Sequence, residues 1–469
     1  MISRKTQTQA RSQDTSADQQ TGSSGLFGYT AAQLVERVCY LSFQPNLSSL
    51  HRMTHRAVRW YPPSFDIRVE HVPKPKIEKS DDVIVKVTLA ALCGSDLHIY
   101  RGHGGVDRVH TCGHEFMGEI VQLGDQANAK QEGNFPELKV GDKVVAPFTA
   151  NCGECHVCRV GYTCRCPSGF LFGSGALDGG QAQFIRVPYG AATLLPLSNL
   201  FPAGSAPNDP SLLLLADILP TGVFGALQLL NHPKVVTIRE GKPWPDHFPF
   251  PVSNTSTVST MNEEDKILNL AVIGLGPVGI CACVALLDAL WRGSLKYRIV
   301  AIDLLEGRRE KLKVVYNRVM QSEPDKKQRG EFIVLPPEEA KAKVQEWTND
   351  VGCTGVLEAV GHIDALELAF DLVRAFGTIT SVGVHGAAQI PFTGRQLYNK
   401  NISLDFGRCP ARAMVPLAAE LLLKRQDVFG EVGTASSLID RVTSLDEAPE
   451  MYRKFERGDV GKVLFDPWK

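Results

Sequence analysis

The chain has no excess of charge of either sign: 50 Lys and Arg stand against 51 Asp and Glu, a net charge of −1 over 469 residues. Nucleic acids and anionic membrane surfaces are met by basic faces, so this balance argues against both as partners. A run of about 18 or more apolar residues is also missing, which excludes a hydrophobic transmembrane helix. Nor does an apolar secretory segment open the chain. Its twelve cysteines are therefore expected in a reducing compartment, the cytoplasm, where clustered thiols are metal ligands more often than disulfides. Hydrophobic residues make up 43% and charged residues 22%, the balance of a globular chain of two or three domains. The partner left by these exclusions is a small molecule.

What is present is concentrated in three stretches. The first runs from Cys93-Gly94-Ser95-Asp96-Leu97-His98 to Gly113-His114-Glu115. A thiolate and an imidazole suit a borderline-soft divalent ion such as zinc, and a catalytic zinc site keeps one coordination position open. Cys93 and His114 then require one more protein ligand from elsewhere in the chain. The competing reading of any lone Cys or His is a buried core residue, but here four further polar groups flank the pair.

The second stretch is Cys152-x2-Cys155-x2-Cys158-x7-Cys166. Four thiolates brought together by tight turns form a closed tetrahedral site, which for zinc is structural. A ferredoxin-type cluster would need three residues before the last cysteine, not seven. The third is an apolar strand running into Gly274-Leu275-Gly276-Pro277-Val278-Gly279 and then an apolar helix. Glycines there let a backbone approach a pyrophosphate whose charge meets the helix N-terminus. A second strand ends on Asp303, 24 residues beyond Gly279. A carboxylate at that place accepts hydrogen bonds from ribose hydroxyls and repels a 2′-phosphate, so NAD is expected over NADP. Arg308 and Arg309 lie close enough to weaken that preference.

Around these stretches the organisation is coarse but readable. Residues 1–52 are rich in Ser, Thr and Gln and cannot bury a core, so a disordered or targeting extension is expected; a transit peptide would place the protein in the mitochondrion. Short alternating strands between 53 and 216 imply a compact β domain. A helix is expected over 211–230, and the Pro-rich, Ser/Thr-rich residues 232–266 read as an inserted surface loop. Alternating apolar strands and helices follow to about residue 388, the pattern of a doubly wound parallel sheet. Residues 389–469 close on a strand, 461–465, that should rejoin the β domain.

Taken together these residues resemble the zinc-containing medium-chain alcohol dehydrogenases, over about residues 55–469, and within them the branch that includes glutathione-independent formaldehyde dehydrogenases. The resemblance implies an α/β protein with a GroES-like β-rich catalytic domain (53–216 and 389–469) and a Rossmann NAD-binding domain (217–388). It implies two zinc ions per chain, an alcohol, polyol or aldehyde substrate, and a homodimer or homotetramer. Cys93 and His114 match catalytic zinc ligands, and the cysteine quartet matches the structural zinc lobe. Ser95 matches the hydroxyl that touches the reacting alcohol and His98 the relay to solvent. Glu115 joins the catalytic set as support for the metal site. Gly274, Gly276, Pro277, Val278, Gly279, Asp303 and Lys462 are assigned to the cofactor. For the third catalytic ligand the sequence offers Asp217, in Ala216-Asp217-Ile218-Leu219-Pro220, with Glu115 and Cys112 as competitors. Two other functions share these motifs: an NADP-dependent reductase of the same fold, and a non-catalytic dinucleotide-binding protein stabilised by zinc. The Cys93, Ser95, His98 and His114 set favours an enzyme, since a binding protein has no use for an open metal site.

Overall fold

The computed structural model describes residues 53–103, 105–129, 135–244, 260–387 and 389–469. The expected extension, 1–52, and residues 245–259 of the expected insertion lie outside the described residues.

Val83–Leu92 anchors the β-rich domain. Its sequence, VIVKVTLAAL, is apolar on both faces and eight of its ten residues are buried, as a strand covered on both sides requires. It pairs antiparallel with Glu115–Leu123 on one edge, Ala91 opposite Glu115, and with the C-terminal strand Lys462–Asp466 on the other, Val463 opposite Leu92. The end of the chain thus closes the sheet that carries the first functional stretch. Leaving this sheet, the backbone turns at Cys93 into the short helix Gly94–Tyr100.

The second domain is a six-stranded parallel sheet. Numbered by their order in the chain its strands lie 3-2-1-4-5-6: Gly330–Leu335, Tyr297–Ile302, Leu268–Ile273, Cys353–Glu358, Val373–Ser381 and Ser403–Phe406. That order reverses direction between the first and fourth strands, and ligands of such sheets bind outside the carboxyl ends of the strands at that switch. The sixth strand lies beyond residue 388, where the sequence placed the return to the β domain. Its four residues, SLDF, are half-buried or exposed, so they carry none of the apolar density that marks the inner strands.

Between 209 and 231 the expected single helix is two, Asp209–Leu213 with a 3-10 turn to Ala216, then Ile218–Asn231. The two are bent by 53°. Asp217 is the break, with φ −151° and ψ −69°. The second helix packs on Pro277–Arg292, the helix that follows the glycine turn. A Cβ on Gly222 would stand 2.6 Å from Cys281 Cβ and 2.7 Å from the Ala282 amide nitrogen, so only glycine lets the two backbones approach this closely. Pro233–Glu240, inside the expected inserted loop, is a helix with Pro233 in its first turn and Gly241 at its end in the left-handed conformation, the asymmetry such ends prefer. One buried cluster runs from Leu89, Cys93 and Met117 through this helix pair to Leu270 and Ile299. Among the described residues no single helix is long and apolar enough to cross a membrane.

Candidate functional site

Each ligand candidate is placed by a change of backbone direction. Cys93 leaves its strand in extended geometry (φ −121°, ψ 157°), and its amide donates to Asp96 Oδ2 at 3.0 Å. His114 follows Gly113, whose φ of +90° favours glycine. Asp217 sits at the helix break, where an unwound residue can aim its carboxylate sideways while Thr221 Oγ1, one turn on, donates to its Oδ1 at 2.8 Å.

These three turns bring the side chains together. Asp217 Oδ2 lies 3.7 Å from Cys93 Sγ and 3.2 Å from His114 Nε2. Ligand atoms of Cys93, His114, Glu115 and Asp217 all fall within 4.8 Å of one another, and all four residues are buried. A tetrahedral zinc with bonds of about 2.0 to 2.3 Å holds its ligands roughly 3.3 to 3.8 Å apart, so the donor set and its spacing fit that ion. Glu115 Oε1 is buried with no hydrogen-bond partner among the described residues, while Oε2 accepts from Lys462 Nζ, both side chains being fully buried. Cys112 is not in the cluster; it packs in another, with Trp60, Tyr100 and Tyr452.

Electrostatics agree with a cation between these groups. Burial pushes the Cys93 thiol up to about 11, with the Glu115 carboxylate adding to it. For His114 burial acts downward, but Asp96 and then Asp217 outweigh it and hold the imidazole well above 6.5. Burial would raise Asp217, and the His114 contact brings it below its usual 3.8. His114 Nδ1 donates to Asp96 Oδ1 at 3.1 Å, which leaves Nε2 as the ligand atom and fixes the ring.

Asp96 was missed as a functional residue in the sequence, where it reads as an ordinary acid in a helix's first turn. It is 4% exposed. Behind it, Gln181 Nε2 donates to the Ala91 carbonyl at 3.0 Å, and Tyr452 Oη donates to Gln181 Oε1 at 2.9 Å. Ser95 Oγ is 3.9 Å from Cys93 Sγ, at the edge of the cluster. His98 is one turn further along the same helix and half-buried; burial first, then Arg101 and His103, hold its imidazole below 6.5. Phe148 stands edge-on to the His114 ring, 6.4 Å between centroids.

The quartet Cys152, Cys155, Cys158 and Cys166 also has its sulfurs within 4.8 Å of one another. Cys155 and Cys166 sulfurs are 4.0 Å apart, and Cys166 and Cys152 3.5 Å, against roughly 3.8 Å across a tetrahedron of Zn–S bonds. Amides of Cys152, Cys155 and Cys158 point at sulfurs of the set, each at 3.4 Å. The fifth cysteine of the loop, Cys164, is outside it and approaches the Arg408 carbonyl.

At the glycine turn Gly276 caps the helix Pro277–Arg292, with Pro277 and Val278 in the first turn. A Cβ on Gly279 would stand 1.8 Å from the Gly274 carbonyl oxygen, whereas one on Gly276 would meet nothing within 4 Å. The first glycine closes the turn and the second leaves room for a phosphate. A cavity of about 460 Å³ beside Gly276 is lined by Arg308, Lys311 and Gly461, and one of about 490 Å³ by Gly274, Asp303 and Val360. Asp303 accepts from the Leu275 and Leu305 amides at 2.7 and 2.8 Å, with Arg308 Nη1 3.5 Å from its Oδ2. Arg309 turns back onto the carbonyls of Asp303 and Leu304. Lys462, expected among the cofactor contacts, lines the first cavity, but its ammonium is directed inward to Glu115. A further cavity, about 630 Å³, is lined by His55, Arg59 and Arg186 and contains none of these residues.

Comparison with known proteins agrees with this architecture. Residues 79–198 match the family described as alcohol dehydrogenase GroES-like domain, and 277–424 that described as zinc-binding dehydrogenase. The chain is 33% identical over 434 residues to zinc-type alcohol dehydrogenase B of Aspergillus flavus, covering 92% of this chain and 86% of that one. It is 27% identical over 440 residues to formaldehyde dismutase of Pseudomonas putida, covering 86% and 95%. The structure of an alcohol dehydrogenase from Thermus sp. ATN1 superposes with a TM-score of 0.64 at 27% identity, covering 88% and 99%. A β-rich domain bearing the two donor clusters, a 3-2-1-4-5-6 parallel sheet and this extent of likeness place the chain among the zinc-type medium-chain alcohol dehydrogenases, as an oxidoreductase of that family.

Proposed function

We propose that the protein transfers a hydride between NAD and an alcohol, polyol or aldehyde, with one zinc held by Cys93, His114 and Asp217 and a second by the four cysteines. The observation that carries this reading is the buried cluster of one sulfur, one imidazole nitrogen and two carboxylates, which the Gly222 contact ties to the helix that opens at the glycine turn. Zinc there supplies Lewis-acid polarisation of the substrate oxygen and NAD supplies the hydride acceptor.

The chain's own residues do the rest. Asp96 holds His114 in the tautomer whose Nε2 faces the site, and Thr221 fixes one oxygen of Asp217 so that the other points inward. Glu115 and Lys462 place a neutral ion pair behind the ligands. Ser95 accepts the substrate's hydroxyl proton, and His98, neutral near pH 7 because its imidazole is held below 6.5, takes it on toward water. Asp303 receives the adenosine ribose, and its charge disfavours a 2′-phosphate. Arg308, 3.5 Å away, is the residue that would serve NADP instead.

The test is a screen of alcohols, polyols and aldehydes with NAD and with NADP, following nicotinamide absorbance on protein of measured zinc content. Turnover with NAD supports the reading. Turnover with NADP alone overturns the role given to Asp303, and no turnover by zinc-loaded protein overturns the whole.

A further inference from the structure

A second buried carboxylate stands on the sheet and is not used by the chemistry above. Glu358 ends the strand Cys353–Glu358 and is fully buried. Its Oε1 accepts from the amides of Val360 and Gly361 at 2.6 and 2.7 Å. Its Oε2 accepts from Ser381 Oγ at 2.6 Å and lies 3.2 Å from His385 Nε2. His385 Nε2 is in turn 2.7 Å from Ser381 Oγ. Since Ser381 spends its only proton on the carboxylate, His385 must be the donor to Ser381. Three donors, the Val360 and Gly361 amides and the Ser381 hydroxyl, therefore point at the Glu358 carboxylate, with His385 held behind Ser381. Among the described residues no Lys or Arg forms an ion pair with it. A carboxylate buried without a permanent cation beside it is expensive unless something else uses its charge.

Its place in the sheet says what that is. Ile302, Ile273, Glu358 and Ser381 are successive partners across the carboxyl edge of four parallel strands. Asp303 follows the first of them, so Asp303 and Ser381 stand on opposite sides of the glycine turn, three strand spacings or about 14 Å apart. A dinucleotide crossing the switch point with its adenosine at Asp303 would bring its other half toward the strand ends at Glu358 and Ser381. The contacts are continuous: Gly274 abuts Val360, Gly361 abuts the Val384 carbonyl, and Gly225, two turns along the helix that Asp217 opens, abuts Val382.

An oxidised nicotinamide ring carries a positive charge that the reduced ring lacks. We infer that Glu358, held in place by Ser381 and His385, sets the redox preference of the cofactor cleft by favouring the oxidised nicotinamide over the reduced one. This rests on the cofactor reading given above. A merely structural clamp on the 359–361 turn would affect both forms alike, whereas a charge acts on one.

The experiment is calorimetric titration of the zinc-loaded protein with NAD and with NADH, and with NADP and NADPH as a second pair. In Glu358→Gln, Kd for the oxidised form should rise about tenfold while that for the reduced form moves less than about twofold. Ser381→Ala keeps the charge and should keep the wild-type ratio. His385→Lys, at a partly exposed position, sets a permanent cation against the carboxylate and should shift the ratio in the direction of Glu358→Gln; it carries the test should the glutamine variant not fold. Parallel shifts in both forms, or an unchanged ratio in His385→Lys, overturn the inference. Wild-type protein that binds neither pair overturns the cofactor reading itself, and this inference with it.

Discussion

Lys462→Met exposes the energetics of the site's interior. In the structure Lys462 and Glu115 are an ion pair with both side chains 0% exposed, and Glu115 Oε1 has no hydrogen-bond partner among the described residues. Removing the ammonium leaves a buried carboxylate without its cation, and breaking such a pair from one side destabilises by about 3 to 5 kcal/mol. Removing both charges is far milder, because no uncompensated ion remains. Glu115→Gln combined with Lys462→Met should therefore be more stable than Lys462→Met alone, the reverse of simple additivity. Urea unfolding of the zinc-loaded proteins reads this as a lower midpoint at unchanged slope for the single variant, partly restored in the double. A single variant within about 1 kcal/mol of wild type, or a double variant as unstable as the sum of its parts, would refute the assignment of this lysine to Glu115.

Three further outcomes are expected. His98→Gln should slow alcohol oxidation and remove from the kcat/KM profile an ionisation that lies below 6.5 in the wild type, the side on which protonated His98 can no longer accept a proton; an unchanged profile means the proton leaves by another route. Asp96→Asn should weaken zinc at the Cys93 site by roughly 10 to 100-fold in chelator competition while the four-cysteine site keeps its metal. Asp303→Ala should lower the NAD over NADP preference in kcat/KM by about tenfold or more, about 1.4 kcal/mol; a wild type that already prefers NADP contradicts the role of that acid.

The parts of this molecule that could be read from sequence are those whose chemistry is rare and local. Cys93, His114 and the cysteine quartet are ligand types at telling spacings, and the glycine turn sits between an apolar strand and an apolar helix. Apolar density also marked the inner strands of the parallel sheet. Features that depend on tertiary neighbours were not legible. The break at Asp217 interrupts a run of helix-forming, apolar residues, and nothing local announces that the backbone unwinds there to aim a carboxylate. Asp96 looks like any acid in a first helical turn until His114, 18 residues on, is folded against it. Lys462 stands in an apolar strand beside the cofactor cleft, and only the pairing of that strand with Val83–Leu92, whose other neighbour begins at Glu115, shows where its charge goes. Ser403–Phe406 is an edge strand with too little buried surface to stand out. Glu358, Ser381 and His385 come from two strands and a loop, a juxtaposition made by sheet register alone.

Asp217 as the third ligand of a catalytic zinc is the assignment on which the proposed chemistry depends. Elemental analysis of purified wild type and Asp217→Ala tests this most directly, by counting metal per chain. The expected result is two zinc ions in the wild type and one in the variant, with the fold and the four-cysteine site retained and turnover nearly abolished. An alanine variant that keeps both ions and a near wild-type kcat would contradict it, and Glu115, a member of the same buried cluster, would take Asp217's place.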